Sequence, residues 1–219
     1  MRQRASEIIA EQLRQMVITA ELTPGTIVSE AQLCEMLGCT RTPLRSALQQ
    51  LSHHHLVEIP PRRGVVIPQL SVVDYQQLSE AQLWVGTGLM DLVVERIDDK
   101  ELARIGELIS EQERSGEERD YYALATLDGL FHTSIVEATG NRYFTGFSTR
   151  LQSSLARFLF RAYRASGDAA LSIAEHKQIV EALRQGNADL AKSRMREHVS
   201  EASKRVLTII GLGEYSQGA

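Results

Sequence analysis

The stretch that most constrains this chain is 29–51, SEAQLCEMLGCTRTPLRSALQQL, which reads as two short helices joined by a tight turn. Ser29 is placed to cap the first helix, with Gln32 where a capping box takes Glu or Gln. Ala31, Leu33, Met36 and Leu37 fall near helical spacing and predict its apolar face. Gly38 supplies the stop, because glycine takes the left-handed conformation after a helix at little cost. Thr40 is placed to cap the second helix, with Pro43 in its first turn, where a missing N–H costs little. Leu44, Ala47, Leu48 and Leu51 form that helix's buried stripe, which leaves Arg41, Thr42 and Arg45 projecting near its start. Such a pair either packs into any helical core with its arginines merely exposed, or enters the major groove of duplex DNA.

The flanking sequence favours DNA. Ile8, Ile9, Leu13, Met16 and Val17 predict an amphipathic helix over about 6–20, followed by a Thr23-Pro24-Gly25 turn and a short extended piece at 26–28. Beyond Leu51 the run His53-His54-His55 interrupts the pattern. These histidines are either solvated turn residues and neutral caps, or pH-dependent phosphate contacts. Residues 56–59 and 64–67 then read as two strands around Pro60-Pro61-Arg62-Arg63, a β-hairpin with a basic tip. Three helices and a basic hairpin make a winged helix-turn-helix, assigned to residues 1–70. The whole chain carries a net charge of −4, yet between Gly38 and Pro68 Arg41, Arg45, Arg62 and Arg63 stand against Glu58 alone.

The remainder, 71–219, reads as helix throughout, so the fold class is mainly α, a winged helix-turn-helix followed by an all-α bundle. Ser71 with Asp74 opens a helix expected to reach about residue 97. Asp98-Asp99 opens another, broken at Ser115-Gly116. Further helices are expected over about 120–138 and 143–165. Ser172 to Glu175 reads as a capping box for a helix ending near 185, and a last helix covers about 188–210, with a frayed tail at 211–219. The sum is a bundle of about six. No apolar run suits a membrane, no signal peptide opens the chain, and two cysteines fit a reducing compartment, so a cytoplasmic protein, nucleoid-associated when bound to DNA, is expected. Cys34 and Cys39 read as packing residues first and as a redox pair second.

The second half holds three spaced histidines. Asp128 and His132 are four residues apart on one helix, sharing a stripe with Phe131 and Ile135, and so point inward. His176 and His198 lie ten residues before Gly186 and eleven after Asn187. At about 1.5 Å rise per residue both stand roughly 15–17 Å from the turn, facing each other across an antiparallel pair. Each of the four taken singly is a core residue with a hydrogen-bond partner. Together Asp128, His132, His176 and His198 form a candidate site for a divalent cation, with nitrogen and oxygen donors that suit Zn, Ni, Mn or Fe without choosing among them.

Pro24-Gly25, Ser29-Glu30, Leu33, Leu37-Gly38, Thr40 to Arg45, Ala47-Leu48, Leu51 and Arg63-Gly64 resemble the DNA-binding module of GntR-family bacterial transcription regulators. The helical remainder resembles the FadR-like ligand-binding domain called FCD. That resemblance implies that Arg41, Thr42 and Arg45 contact an operator, joined by Arg63 and Gly64 of the wing, and that the chain pairs as a homodimer on an inverted repeat. Two departures stand out: Ser46 where Glu is usual, and the histidine run in place of an acidic-Gly turn. Many FCD domains carry an Asp and three His in these places and take a small organic acid as effector. Arg150, Arg157 and Arg161 follow along the next helix. Arg157 is the first candidate for a carboxylate partner, the alternative being a solvated charged face. The Arg that many FCD members carry in the domain's first helix is replaced here by the stretch Gln82-Leu83-Trp84-Val85-Gly86, which argues for a less charged ligand or none. The reading is therefore a regulator, most often a repressor, and not an enzyme. A purely structural metal, or a metal-dependent hydrolase with an accessory DNA-binding domain, are the alternatives.

Overall fold

The computed structural model describes residues 2–167 and 169–215. The chain forms two compact units that divide between Leu70 and Ser71.

The N-terminal unit runs α1 (Arg2–Ile18), β1 (Ile27–Val28), α2 (Glu30–Met36), α3 (Arg41–His53) and β2 (Val65–Val66). Ser29 caps α2 through a capping box: its hydroxyl accepts the Gln32 N–H at 3.2 Å, and the Gln32 Oε1 accepts the Ser29 N–H at 2.9 Å. Thr40 occupies the N-cap of α3 with an extended backbone but makes no side-chain cap bond. Leu44, Ala47, Leu48 and Leu51 are all buried on α3, and with Leu13, Leu33, Leu56 and Ile67 they close one core. On α2 the buried side is Leu33, helped by Cys34 and Leu37; Ala31 and Met36 face solvent, because seven residues make a helix too short to turn four positions inward. Ile8 of α1 likewise lies outside, at 54% exposure.

The wing departs from a two-stranded hairpin. β2 pairs antiparallel with β1, Ile27 opposite Val66 and Val28 opposite Val65, while the 56–59 segment contributes a single bridge from Glu58 to Val66. Pro60 and Pro61 explain the shortening, since neither can donate to a ladder. Gly64 has φ +87, and a Cβ there would meet the Val28 carbonyl oxygen at 3.0 Å, so this glycine serves the wing's own packing.

The C-terminal unit contains seven helices among the described residues: α4 (Val72–Gly88), α5 (Met90–Arg96), α6 (Asp99–Glu117), α7 (Tyr121–Glu137), α8 (Arg142–Ser166), α9 (Ala170–Arg184) and α10 (Ala188–Tyr215). The expected first helix splits at Leu89, beside two glycines, where Thr87 turns its hydroxyl onto the Leu83 carbonyl at 2.7 Å. Gly86 is a close-approach residue, because a Cβ there would lie 3.0 Å from Met195 of α10. α6 continues through Ser115-Gly116, with Ser115 buried, and Arg119 at φ +56 makes the turn instead. α9 begins at Ala170, so Ser172 and Glu175 lie inside the helix and form no capping box. α10 continues to Tyr215, past the point where a frayed tail was expected; residues 216–219 lie outside those described. α7 packs along α8 and α6, while α10 packs along α4 and α9, which brings α7, α9 and α10 around a common interior.

Candidate functional site

In the N-terminal unit Arg41, Thr42 and Arg45 are all exposed on the first turns of α3. The Arg45 Nε lies 3.0–3.1 Å from both carboxylate oxygens of Glu30 on α2, a pairing that orients the guanidinium and that the sequence pattern did not suggest. Arg63 is exposed beside Gly64, at the tip between Glu58 and β2. The histidine run closes α3: His54 is its C-cap, and its Nδ1 accepts from Arg14 at 2.9 Å, which ties the end of α3 to α1. His55 has φ +57 and turns the chain.

In the C-terminal unit Asp128 and His132 of α7, His176 of α9 and His198 of α10 are each no more than 4% exposed. The His198 Nε2 lies 3.2 Å from that of His132 and 3.3 Å from that of His176. The Asp128 carboxylate approaches His176 Nε2 at 3.6 Å and His132 Nε2 at 3.8 Å. The three imidazoles are close enough that one ligand atom from each lies within 4.8 Å of the others. Phe131 stacks on His176 with ring centroids 4.0 Å apart, an apolar wall on one side.

A surrounding set of groups fixes the rings. His198 Nδ1 donates to the Glu175 carboxylate at 2.8 Å, and Glu175 is itself gripped by Arg205 through both guanidinium ends at 2.7 and 2.8 Å. Arg205 also donates to Ser172 at 3.1 Å. His176 Nδ1 lies 2.9 Å from the Gln112 Oε1, and Tyr163 donates its hydroxyl to Asp128 at 3.1 Å. Burial pushes the Asp128 carboxyl up to about 6, only partly offset by His198 and Tyr163, and it holds His132 and His176 well below their ordinary value. Burial also works against the Glu175 charge, but bonds from His198 and Arg205 outweigh it and bring that carboxyl down to about 2.

The tautomers decide what the cluster can hold. An ionised Glu175 only accepts, so the His198 proton sits on Nδ1 and Nε2 carries the lone pair. The Gln112 oxygen does the same for His176. In these tautomers the Nε2 lone pairs of His176 and His198 face each other at 3.3 Å, with His132 Nε2 3.2 Å from that of His198, an arrangement that a cation can satisfy. Metal–nitrogen bonds of about 2.0–2.1 Å place adjacent donors roughly 3.0–3.4 Å apart, so the spacing and donor chemistry fit a divalent ion. Neutral imidazoles with the distal nitrogen anchored are the ligand state such ions take.

Of the predicted effector residues, Arg157 is buried on α8, its charge opposed by burial and supported by Asp74 of α4, while Arg150 and Arg161 are half-buried further along the helix. The guanidinium tied to the cluster is Arg205, through Glu175. Glu175, Gln112, Tyr163 and Arg205 were not foreseen. Glu175 adjoins His176 but reads in sequence as part of a helix start. Gln112 and Tyr163 lie far from any histidine in sequence, and Arg205, two turns beyond His198 on α10, shares its stripe, a spacing that could have pointed to it.

A winged helix-turn-helix with exposed arginines followed by an all-α unit with a buried donor cluster is the arrangement of a DNA-binding transcription regulator with a second, helical unit. Residues 5–67 match the bacterial regulatory proteins of the gntR family, and residues 77–201 match the FCD domain. This chain therefore belongs to the GntR family of bacterial regulators, with an FCD domain as its second unit. It is 31% identical over 191 residues to an HTH-type transcriptional regulator in an unstable DNA locus of Streptomyces ambofaciens, covering 85% of this chain and 78% of that one. It is 20% identical over 197 residues to the HTH-type transcriptional repressor RspR of Escherichia coli K12, covering 90% and 86%. The solved structure of E. coli McbR/YncC shares the fold with a TM-score of 0.79 at 18% identity, covering 93% of this chain and 97% of that one. These relatives are transcription regulators, which leaves the hydrolase alternative without support. Among the described residues no helix is long and apolar enough to cross a membrane.

Proposed function

We propose that this chain is a repressor whose hold on an inverted-repeat operator is set by a small organic acid bound at a divalent metal site formed by Asp128, His132, His176 and His198. The observation that carries the reading is the approach of the Nε2 atoms of His132, His176 and His198 to within 3.2–3.3 Å of one another through His198, inside a buried cluster on α7, α9 and α10. Asp128 and His132 of α7, His176 of α9 and His198 of α10 would hold a divalent cation, which would supply the positive charge that a carboxylate ligand pairs with. Glu175 and Gln112 orient the rings, Tyr163 holds the carboxylate of Asp128, and Phe131 excludes water from one side. A cavity of about 350 Å³ between α8, α9 and α10 is lined by Leu159, Tyr163, Ser172, Arg205 and Val206 among others, so Tyr163 and Arg205 connect it to the cluster. An occupant there bears on the side chains that hold Asp128 and Glu175, and through them on the packing of three helices.

On the DNA side Arg41, Thr42 and Arg45 of α3 read base edges or phosphates, and Arg63 with the Gly64 backbone follows from the wing. One module buries too little surface to bind tightly, so pairing of two chains is part of the reading. Exposed Trp84, Leu130 and Phe147 on the helical unit supply apolar area for such pairing. The test is metal analysis of untagged protein together with gel-shift titration on a duplex from the chain's own upstream region, with and without metal and organic acids. A protein that takes up neither Zn nor Ni, or that ignores the duplex in every loading state, refutes the reading.

A further inference from the structure

The chain contains two cysteines, and the fold brings both to one turn, between α2 and α3. The Gly38 N–H bonds the Glu35 carbonyl at 3.3 Å and the Cys39 N–H bonds the Cys34 carbonyl at 3.0 Å, with Gly38 at φ +58. That is the Schellman ending of a helix, in which the residues holding positions 34 and 39 ordinarily make an apolar contact. Here both are cysteines, each half-buried against the core of the N-terminal unit, and the Cys39 thiol hydrogen-bonds the Cys34 side chain. A backbone bond of 3.0 Å between the two residues holds their α-carbons about 5–6 Å apart, within the span a disulfide needs.

We propose that Cys34 and Cys39 are a reversible oxidation site, closing to an intrachain disulfide across the turn of the helix-turn-helix and so weakening DNA binding. The oxidant class is a hydroperoxide. Cys34 sulfur attacks one peroxide oxygen, the O–O bond breaks, and the departing hydroxide leaves as water with the thiol's proton. The resulting sulfenic acid is attacked by Cys39 sulfur: the S–S bond forms, the S–O bond breaks, and the hydroxyl leaves as a second water with the Cys39 proton. Two thiols are oxidised and one hydrogen peroxide is reduced to two waters. Burial and the neighbouring Cys34 push the Cys39 thiol up, which suits it to the second, intramolecular step and makes closure faster at alkaline pH.

The position explains the consequence. Cys39 directly precedes Thr40, the N-cap of α3, and stands two residues before Arg41. Drawing the sulfurs from thiol contact to a bond of about 2.05 Å tightens the turn and tilts the start of α3 against α2. The Glu30–Arg45 pair spans those same two helices and must adjust with them. In a DNA-binding regulator thiols are kept reduced, so a disulfide here is a transient signal rather than a structural staple.

The effect on DNA rests on the reading of α3 given above; the disulfide itself does not. The full-length protein is treated with excess hydrogen peroxide at pH 7 and pH 9, and its free thiols are alkylated. Intact and digested masses are then read with and without dithiothreitol. The expected result is a monomeric product lighter by two hydrogens, with a 34–39 crosslinked peptide, faster closure at pH 9, and full reversal by dithiothreitol. Gel shift on the upstream duplex is expected to show at least tenfold weaker binding for the oxidised form, and no change on peroxide treatment of Cys39→Ser or, separately, Cys34→Ala. Thiols that both remain alkylatable, a disulfide joining two chains, or sulfinic acid without a crosslink overturns the proposal. A disulfide that leaves duplex affinity unchanged overturns the switch. Reduced protein that never binds the duplex fails the DNA reading instead, and the mass measurement still decides the site.

Discussion

Replacing Asp128 by Asn separates a metal-ligand role from a structural one, because the two predict opposite signs. The carboxyl is buried on α7, and its folded value of about 6 stands above the ordinary 3.8. A group whose folded value is raised contributes stability that is complete below the unfolded value and lost as pH rises through the folded one. In protein stripped of metal, Asp128 therefore costs stability as pH rises from about 4 to 6. A shift of about two units corresponds to about 3 kcal/mol. Asn keeps the shape and still accepts the Tyr163 hydroxyl now bonded to Asp128 at 3.1 Å, but carries no charge to bury. Stripped Asp128→Asn is thus expected to be more stable than wild type at pH 7.5, by up to about 3 kcal/mol, and to lose that advantage near pH 4. Adding Zn reverses the order, since saturating wild type at a thousand times Kd adds about 4 kcal/mol and the variant lacks one donor. Urea unfolding followed by fluorescence of Trp84, the chain's one tryptophan, reports this in the helical unit. A stripped Asp128→Asn that is less stable than wild type by the same amount at both pH values would refute the reasoning and make Asp128 a packing anchor.

Other outcomes can be checked more directly. Glu175→Gln retains an acceptor for His198 but loses the charge that fixes its tautomer, and should weaken Zn affinity about 10–100-fold in a chelator competition. His176→Ala should lower it further and leave far-UV circular dichroism unchanged. Arg41→Ala and Arg45→Ala should each weaken duplex binding and flatten its salt dependence, without lowering the unfolding midpoint of the N-terminal unit. Leu51→Ala, fully buried on α3, should cost about 2–5 kcal/mol of that unit's stability and lose DNA binding only through unfolding.

What was legible in the sequence follows from periodicity and chain geometry. The α3 stripe and the capping box at Ser29 could be read because they depend on residues within one turn of each other. The meeting of His176 and His198 could be read because a short Gly186-Asn187 turn fixes the register of two antiparallel helices. The wing could be read as far as its bridge from Glu58 to Val66, but the pairing of β2 with Ile27–Val28 could not, because that strand lies about forty residues away and nothing local announces the pairing. Gln112 and Tyr163 are hidden for the same reason: each comes from another helix, and the contact is set by how the helices pack, while Arg205 shares α10 with His198 but reaches the cluster only through Glu175 of α9. Ser172 and Glu175 show the complementary error. A Ser followed three residues later by Glu opens a helix on paper, but Ala170 had already opened it, and both side chains turn inward to Arg205 instead.

The charge count around the cluster bears on what the regulator senses. Glu175 and Arg205 cancel each other through two hydrogen bonds, and His132 and His176 are held neutral by burial. Asp128 is then the one uncancelled charge at the centre, so a divalent cation there leaves an excess of one positive charge in a site less than 5% exposed. Buried net charge is costly, and a monoanion removes it. A carboxylate does so while filling an open coordination position, whereas a neutral amide of the same size fills the position and leaves the charge. Zn-loaded protein is therefore expected to bind acetate or a larger monocarboxylate at least tenfold more tightly than the matching amide, and stripped protein to show no such preference. Asp128→Asn, which raises the residual charge by one, should strengthen the preference for a dicarboxylate over a monocarboxylate. Calorimetric titration of the loaded wild type and variant reads both effects, and equal affinity for acid and amide in the loaded wild type would remove charge as the basis of selection.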